Sequence, residues 1–318
     1  MKIVAGAAEL AATARADDPR PLAVAVGNFD GVHIGHQALL REARARAERH
    51  AARAAILTFT PHPARLFAPA KAPPLIMPLA RRLELCAEAG IELAIVEPFT
   101  REFAATPADS FVRDVLGRDL GARVVVVGYD FSFGRGRAGD AGMLAELGAS
   151  LGIDVAVIQP VAIGDTSCSS TRIRELVAFG DTVGAARLLG RPFELEGLVV
   201  RGAGRGRGLG FPTANIAAEG ELRPALGIYT ARARVLDGPL AGQVHAAALS
   251  VGRNPTFTSS STADVSVEAY LLDFDGDLYD RRVRVEIGER LRDELKFDSV
   301  AALVAQIDRD VARVRQLL

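Results

Sequence analysis

Gly27-Asn28-Phe29-Asp30-Gly31-Val32-His33-Ile34-Gly35-His36 joins an apolar run, Leu22-Ala23-Val24-Ala25-Val26, to a stretch in which Leu39, Ala43 and Ala47 recur every fourth residue. The run predicts a buried strand and the spacing predicts a helix that starts near Gly35. A glycine-spaced turn delivered into a helix N-terminus meets free amide N–H groups and the positive end of the helix dipole, which together favour a phosphate. His33 and His36, three apart around the first turn, face the same bound anion. With Gly27, Asn28, Phe29 and Asp30 beside them, the turn suits a nucleotide polyphosphate.

The chain downstream repeats the strand-to-helix alternation. Strands are expected over 54–59, 92–96, 123–127 and 153–158, and helices over 81–89 and 107–116. The run at 123–127 is wholly apolar, as buried parallel strands are. This alternation implies a doubly wound α/β layer, in which ligands bind beyond the carboxyl ends of the strands, where the 27–36 turn already lies. Pro61-His62-Pro63 is a stiff segment, because proline fixes its own φ and restricts its predecessor. Gly134, Gly136 and Gly139 form a formal G-x-G-x-x-G, but Tyr129 to Phe133 separate it from its strand. Gln159 stands where a dinucleotide-binding unit needs an acidic residue, so that reading is rejected.

A second anion cradle is expected at Thr166-Ser167-Cys168-Ser169-Ser170-Thr171-Arg172-Ile173-Arg174. Ser169 or Ser170 can cap the helix that follows. Arg172 and Arg174 in its first turn oppose the dipole, a conflict that an anionic ligand resolves.

Beyond Gly190-Arg191-Pro192 the pattern becomes short alternating runs, 193–200, 227–235, 244–251, 265–272 and 282–287, which predict a small antiparallel barrel. A closing helix over 299–317 carries Val300, Leu303, Val304, Ile307, Val311 and Val314 at helical spacing and should pack on the barrel. The expected domains are therefore 1–189 and 190–318. Glycine fills every second position from 202 to 210, so the backbone around Gly202, Gly204, Arg205, Gly208 and Gly210 can approach phosphates closely. The absence of G-K-[ST] rules out a Walker A loop. In 265–271, Ser266, Glu268 and Tyr270 alternate with apolar residues and share the polar face of a strand.

At 318 residues the chain has room for about two cores. Its 49% apolar and 24% charged content describe an ordinary globular protein, and its net charge of −1 gives no field that draws nucleic acid or an anionic membrane. No apolar run approaches ~18 residues and no export signal is evident, so a cytoplasmic protein is expected. Cys86 and Cys168 form no metal or redox motif. Self-association, if any, is expected to be weak.

Taken together, GNFDGVHIGH, PHP at 61–63, GYDFSFG at 128–134, SSTRIR at 169–174, LGFPTAN at 209–215, NPTF at 254–257, VEAYLLDFDGDLY at 267–279 and LRDELKF at 291–297 resemble the bacterial bifunctional riboflavin kinase/FMN adenylyltransferase family. The resemblance covers nearly the whole chain in the family's order. It implies an HxGH-type nucleotidyltransferase domain followed by a riboflavin kinase barrel. In the first domain it implies that His33 and His36 steady the α/β region of ATP, and that Ser169, Ser170, Thr171 and Arg174 hold the β/γ end. His62 lies near the nucleotide, and Asp130, Phe131 and Phe133 shape the flavin end. In the second domain, Thr213 and Asn215 contact Mg²⁺ and the ATP phosphates beside Pro212. Glu268 is the catalytic base, and Arg292, Glu294 and Phe297 lie on the flavin side.

The implied activities are phosphorylation of riboflavin to FMN and adenylylation of FMN to FAD, each with ATP. An HxGH domain alone could serve another phosphorylated metabolite. The attached kinase barrel argues for FMN, because the product of one site is the substrate of the other. A flavin-binding paralogue that has lost one activity is the other class, and the intact motif residues argue against it. Departures from the family pattern are Cys168 in place of isoleucine, a longer polar stretch at 259–264, and Tyr270 where histidine is common.

Overall fold

The computed structural model describes residues 1–14, 18–202, 205–253 and 265–318. Gly204 and the 254–257 and 259–264 stretches lie outside the described residues. Packing divides the rest into two units, Met1–Pro73 with Leu79–Cys168, and Pro74–Pro78 with Ser169–Leu318.

The first unit is built on a six-stranded parallel sheet. Its strands are β1 (Lys2–Val4), β2 (Leu22–Val26), β3 (Arg53–Thr60), β4 (Leu93–Pro98), β5 (Ala122–Gly128) and β8 (Asp154–Ile158), in the order β1-β4-β3-β2-β5-β8. Two short pairs accompany it, β6 (Ser132–Phe133) with β7 (Gly139–Asp140) and β9 (Ala162–Ile163) with β10 (Thr166–Ser167). Every residue of β2 is buried, as both faces of a central parallel strand must be. Strand order reverses at β2, with β3 on one side and β5 on the other. The crevice beyond its carboxyl end is therefore the topological switch point at which such sheets bind ligands.

The helices that position this crevice are α1 (Ile34–Arg49), α2 (Leu79–Glu88) and α3 (Ala141–Ser150). α1 packs on β2, β3 and β5 through Leu39, Leu40, Ala43 and Ala47, the stripe that the spacing predicted. The helix expected over 107–116 is an α-turn, Ala108–Ser110, that widens into π geometry over Phe111–Asp119. The wider turn closes with the Leu120 N–H donating to the Val115 carbonyl, and it buries Phe111, Val112, Val115 and Leu116 together. β1, a three-residue edge strand with two exposed residues, has no sequence signal.

The second unit is a closed antiparallel barrel with helices α4 (Ser170–Phe179), α5 (Thr182–Leu189) and α6 (Val300–Leu317). Its strands are β11 (Phe193–Val200), β12 (Ala214–Ala218), β13 (Gly227–Val235), β14 (Val244–Arg253), β15 (Val265–Leu271) and β16 (Arg282–Arg292), closing in the order β11-β12-β15-β14-β13-β16. β12 adds a strand to the five expected, because only Ile216 of its five residues is buried and the alternation is too short to read. α5 packs against β11 and β16, and the Thr182 hydroxyl donates to the Gly288 carbonyl. By packing, α4 and α5 thus belong with the barrel, ahead of the change in sequence character at 190.

α6 lies against β13 and β14. Val314 is buried and Leu303, Val304, Ile307 and Val311 are half-buried, but Val300 is 64% exposed and does not join the interface as the spacing suggested. Its position directly after the Ser299 cap places it at the projecting end of the helix. No helix among the described residues is long and apolar enough to cross a membrane.

Candidate active sites

The 27–36 turn sits at the switch point. Gly27 prolongs β2 by donating to the Leu57 carbonyl at 3.1 Å, and the chain then reverses through Phe29 (φ 51°), Gly31 (φ 91°) and Val32 (φ 39°). Phe29 is fully buried and meets the His36 ring edge-on, with centroids 5.4 Å apart. His36 in turn stacks on His33, with centroids 3.6 Å apart and planes 18° from parallel. The motif's two histidines therefore form one stacked unit.

His33 is the N-cap of α1, and its Nδ1 accepts the His36 N–H at 3.3 Å. A side chain at position 35 would put its Cβ 3.1 Å from Cε1 and Nδ1 of that ring, which is why glycine stands between the histidines. One first-turn donor, the His36 N–H, is taken by the His33 ring. The backbone N–H groups of Ile34 and Gly35 face the Cys168 side chain. Burial pushes the Cys168 thiol up, and the two amides oppose that shift. Asn28 Oδ1 is buried without a hydrogen-bond partner, a position open to a ligand donor.

His62 caps the short helix Pro63–Phe67, its Nδ1 accepting the Ala64 N–H at 3.2 Å. Past β5, the Phe131 N–H closes a turn on the Gly128 carbonyl, leaving Asp130 exposed and Phe133 buried. Phe131 stacks on Phe133, which packs on Phe111, and Phe103, Phe59 and Phe99 continue the aromatic run. Phe111 and Phe133 are buried in the core, so Phe131, Phe59, Phe99 and Phe103, all half-buried, are the rings with apolar area left to meet a planar ring system.

In the second unit, Ser169 caps α4 by accepting the Arg172 N–H at 3.1 Å. Both arginines have protein partners, Arg172 in the first turn pairing with Glu175 and Arg174, the fifth residue of α4 and so past the first turn, donating through Nε to the Pro74 carbonyl at 2.7 Å. Thr171 and Arg172 are exposed, while Ser169, Ser170 and Arg174 are half-buried.

The barrel collects the other motifs. β15 turns Val267, Ala269 and Leu271 inward, so Ser266, Glu268 and Tyr270 share the opposite face. Glu268 lies across from Asn215 of β12 on one side and Ser250 of β14 on the other. The Thr213 hydroxyl donates to Glu268 Oε2 at 3.1 Å. Asn215 also packs on the glycine-rich loop, where a Cβ at Gly202 would fall 2.3 Å from its Nδ2. In that loop Leu209 and Phe211 both donate to the Gly206 carbonyl, Gly208 lies in the short helix Arg205–Gly208, Gly210 has φ 86°, and Pro212 is exposed. Phe211 meets the Tyr270 ring edge-on.

Three motif residues lie elsewhere on the barrel. Arg292 forks onto Asp310 of α6 through Nε and Nη2 at 2.7–3.1 Å, with its guanidinium 6.0 Å from the Phe297 ring. Glu294 reaches the backbone of Gly252, two residues along β14 from Ser250. Sequence reasoning missed Arg82, Thr58 and Ser250. Arg82 had a signal, an arginine on the apolar stripe Leu79, Leu83, Cys86 of α2.

A parallel α/β crevice with paired histidines and a barrel strand bearing a carboxylate beside threonine and asparagine define an ATP-using enzyme with two separate active sites. The FAD synthetase family model matches residues 15–172 and the riboflavin kinase model matches residues 189–318. Proteins described as bifunctional riboflavin kinase/FMN adenylyltransferase are similar over most of the chain. The one from Escherichia coli K12 is 36% identical over 292 residues, covering 92% of this chain and 91% of that protein. The one from Pseudomonas fluorescens is 37% identical with the same coverage, and the one from Bacillus subtilis is 32% identical over 90% of this chain and 89% of its own. A crystal structure described as a macrolide-efflux protein from Streptococcus pneumoniae aligns with a TM-score of 0.83 at 30% identity, covering 98% of both chains. The chain belongs to the bifunctional riboflavin kinase/FMN adenylyltransferase family.

Proposed function

We propose that the barrel transfers the γ-phosphoryl group of ATP to the 5′-hydroxyl of riboflavin, giving FMN and ADP. The α/β domain then transfers AMP from a second ATP to FMN, giving FAD and pyrophosphate. The observation that carries this reading is the meeting of Thr213, Asn215 and Glu268 on one barrel face. In this reading the working division is 1–189 for adenylyl transfer and 190–318 for phosphoryl transfer.

A primary hydroxyl is a poor nucleophile at neutral pH, so Glu268 takes its proton as the oxygen attacks the γ-phosphorus. Thr213 and Asn215 supply neutral oxygen donors beside that carboxylate, and the loop around Gly202, Arg205, Gly208 and Gly210 supplies backbone to the phosphates. This donor set suits Mg²⁺, which Thr213 and Asn215 would hold through neutral oxygens beside the ATP phosphates. When bound, Mg²⁺ supplies neutralisation of phosphate charge.

Adenylyl transfer needs no base, because the FMN phosphate is already ionised and requires mainly positioning. His33 and His36 stabilise charge at the α-phosphate and the departing pyrophosphate. Ser169, Ser170, Thr171, Arg172 and Arg174 are assigned to the outer phosphates on the motif alone. His62, Asp130, Phe131 and Phe133 are assigned to the nucleotide and flavin side of this site, and Arg292, Glu294 and Phe297 to riboflavin. A cytoplasmic setting, no nucleic-acid partner and at most weak self-association complete the reading.

The test supplies riboflavin, ATP and Mg²⁺ and separates the flavins over time. FMN appearing first and FAD after it is expected. FMN alone removes the adenylyltransferase half, and unchanged riboflavin removes the kinase half. FMN supplied directly then tests adenylyl transfer by itself.

A further inference from the structure

The structure assigns to Arg82 a positioning role in adenylyl transfer, acting through the turn that carries the histidine pair; this rests on the reading of the α/β domain as the FMN adenylyltransferase. Arg82 is 3% exposed and comes from α2, outside every motif of the sequence. Its Nη1 donates to the Asn28 carbonyl at 2.8 Å and its Nη2 lies 3.8 Å from Asp30 Oδ1. Asp30 is itself 1% exposed. The Thr58 hydroxyl is a second donor to the same carbonyl at 3.3 Å.

Between and just after these two anchors the backbone takes left-handed angles at Phe29, Gly31 and Val32. A β-branched residue rarely holds such an angle, and strained angles persist where surrounding contacts over-determine them. Arg82 ties the start of the reversal, at Asn28, to its middle, at Asp30. The residue between them, Phe29, carries the edge contact to His36. A second consequence is electrostatic. An uncompensated carboxylate at Asp30 would repel a polyphosphate at this turn, and the guanidinium neutralises it from the protein side.

The experiment compares Arg82→Gln, Arg82→Lys and the double variant Arg82→Gln/Asp30→Asn in the full chain, assaying FMN-to-FAD and riboflavin-to-FMN conversion separately. Arg82→Gln should lower the kcat of FMN adenylylation by about 100-fold with the KM for FMN little changed, the scale expected when a remote change misplaces reacting groups. Riboflavin phosphorylation in the same sample should be unchanged. Adding Asp30→Asn should recover about tenfold of the loss by removing the buried carboxylate that the Arg82 guanidinium no longer faces. Arg82→Lys, which keeps the charge but not the fork, should fall between wild type and Arg82→Gln.

The Cys86 thiol, fully buried on α2, reports folding of the domain through its resistance to a thiol reagent. Adenylylation by Arg82→Gln within threefold or so of wild type overturns the assignment. So does a loss that Asp30→Asn and Arg82→Lys both fail to relieve, or one that tracks exposure of Cys86 in all three variants. A wild-type chain that makes no FAD from FMN would instead overturn the functional reading beneath it.

Discussion

The hydroxyl of Thr213 and the carboxylate of Glu268 are hydrogen-bonded at 3.1 Å, although 55 residues separate them in the chain. The bond brings the LGFPTAN turn to the middle of β15 and orients Oε2 toward the face that Asn215 shares. Glu268→Ala should therefore lower riboflavin phosphorylation by about 10²–10⁴, the usual contribution of a positioned general base, while FMN-to-FAD conversion continues. Flavin separation after single-substrate assays checks both halves. Equal loss of both activities would contradict this division of labour.

His36→Ala should do the reverse, lowering adenylyl transfer by about 10²–10³ and sparing the kinase. His33→Ala carries an additional structural cost because His33 caps α1. Loss of an N-cap acceptor costs about 0.5–2 kcal/mol, which urea unfolding monitored on the α/β domain would register.

Gly202→Ala should weaken the kinase alone. The new Cβ would lie within 2.3 Å of the Asn215 amide, which must swing away from its place beside Glu268. A higher KM for ATP in riboflavin phosphorylation, with adenylyl transfer unaltered, is the expected outcome of steady-state kinetics.

Asp310→Ala should destabilise the barrel by about 3–5 kcal/mol, because it leaves Arg292 as a largely buried charge without its carboxylate. Arg292 and Asp310 side chains are 18% and 9% exposed, so solvent offers little compensation. Denaturant unfolding measures the loss, and a change under about 1 kcal/mol would mark the pair as dispensable.

Burial raises the Glu97 carboxyl above its ordinary value, with the Ala7 N–H opposing and Asp119 adding to the rise. The folded state therefore favours the protonated acid. Its contribution is most favourable below the ordinary glutamate value and is lost as pH rises through the folded value. Glu97→Gln, which keeps an acceptor for Ala7, should leave stability at pH near 4 almost unchanged and raise it at neutral pH. Melting temperatures across that range would show the two curves diverging upward from acid, and parallel curves would argue against a shifted Glu97.

Much of this architecture was legible because two periodicities change at the right places. The apolar run at 22–26 and the fourfold spacing after Gly35 mark β2 and α1. The alternations at 193–200 and 227–235 coincide with β11 and β13. β12 and β1 escaped because each is short and shows too little burial to alternate visibly. Within the site, the motif residues could be named, but their partners could not. The Cys168 side chain faces the backbone of Ile34 and Gly35, a placement that depends on where β10 delivers the chain rather than on any local pattern. Arg82 left a mark, a charge on an apolar stripe, whose meaning required seeing which carbonyl it reaches.

The barrel's closure has a bearing on how such an enzyme can diverge. Because β15 is hydrogen-bonded to β12 and β14 on its two flanks, a one-residue slip of its register would turn Glu268 into the apolar interior and bring a hydrocarbon side chain out in its place. Length changes are therefore accommodated most readily in the connections between strands or at bulges such as those between β13 and β16. A lineage can remodel those connections freely, while the spacing along β15 stays locked by its two neighbours.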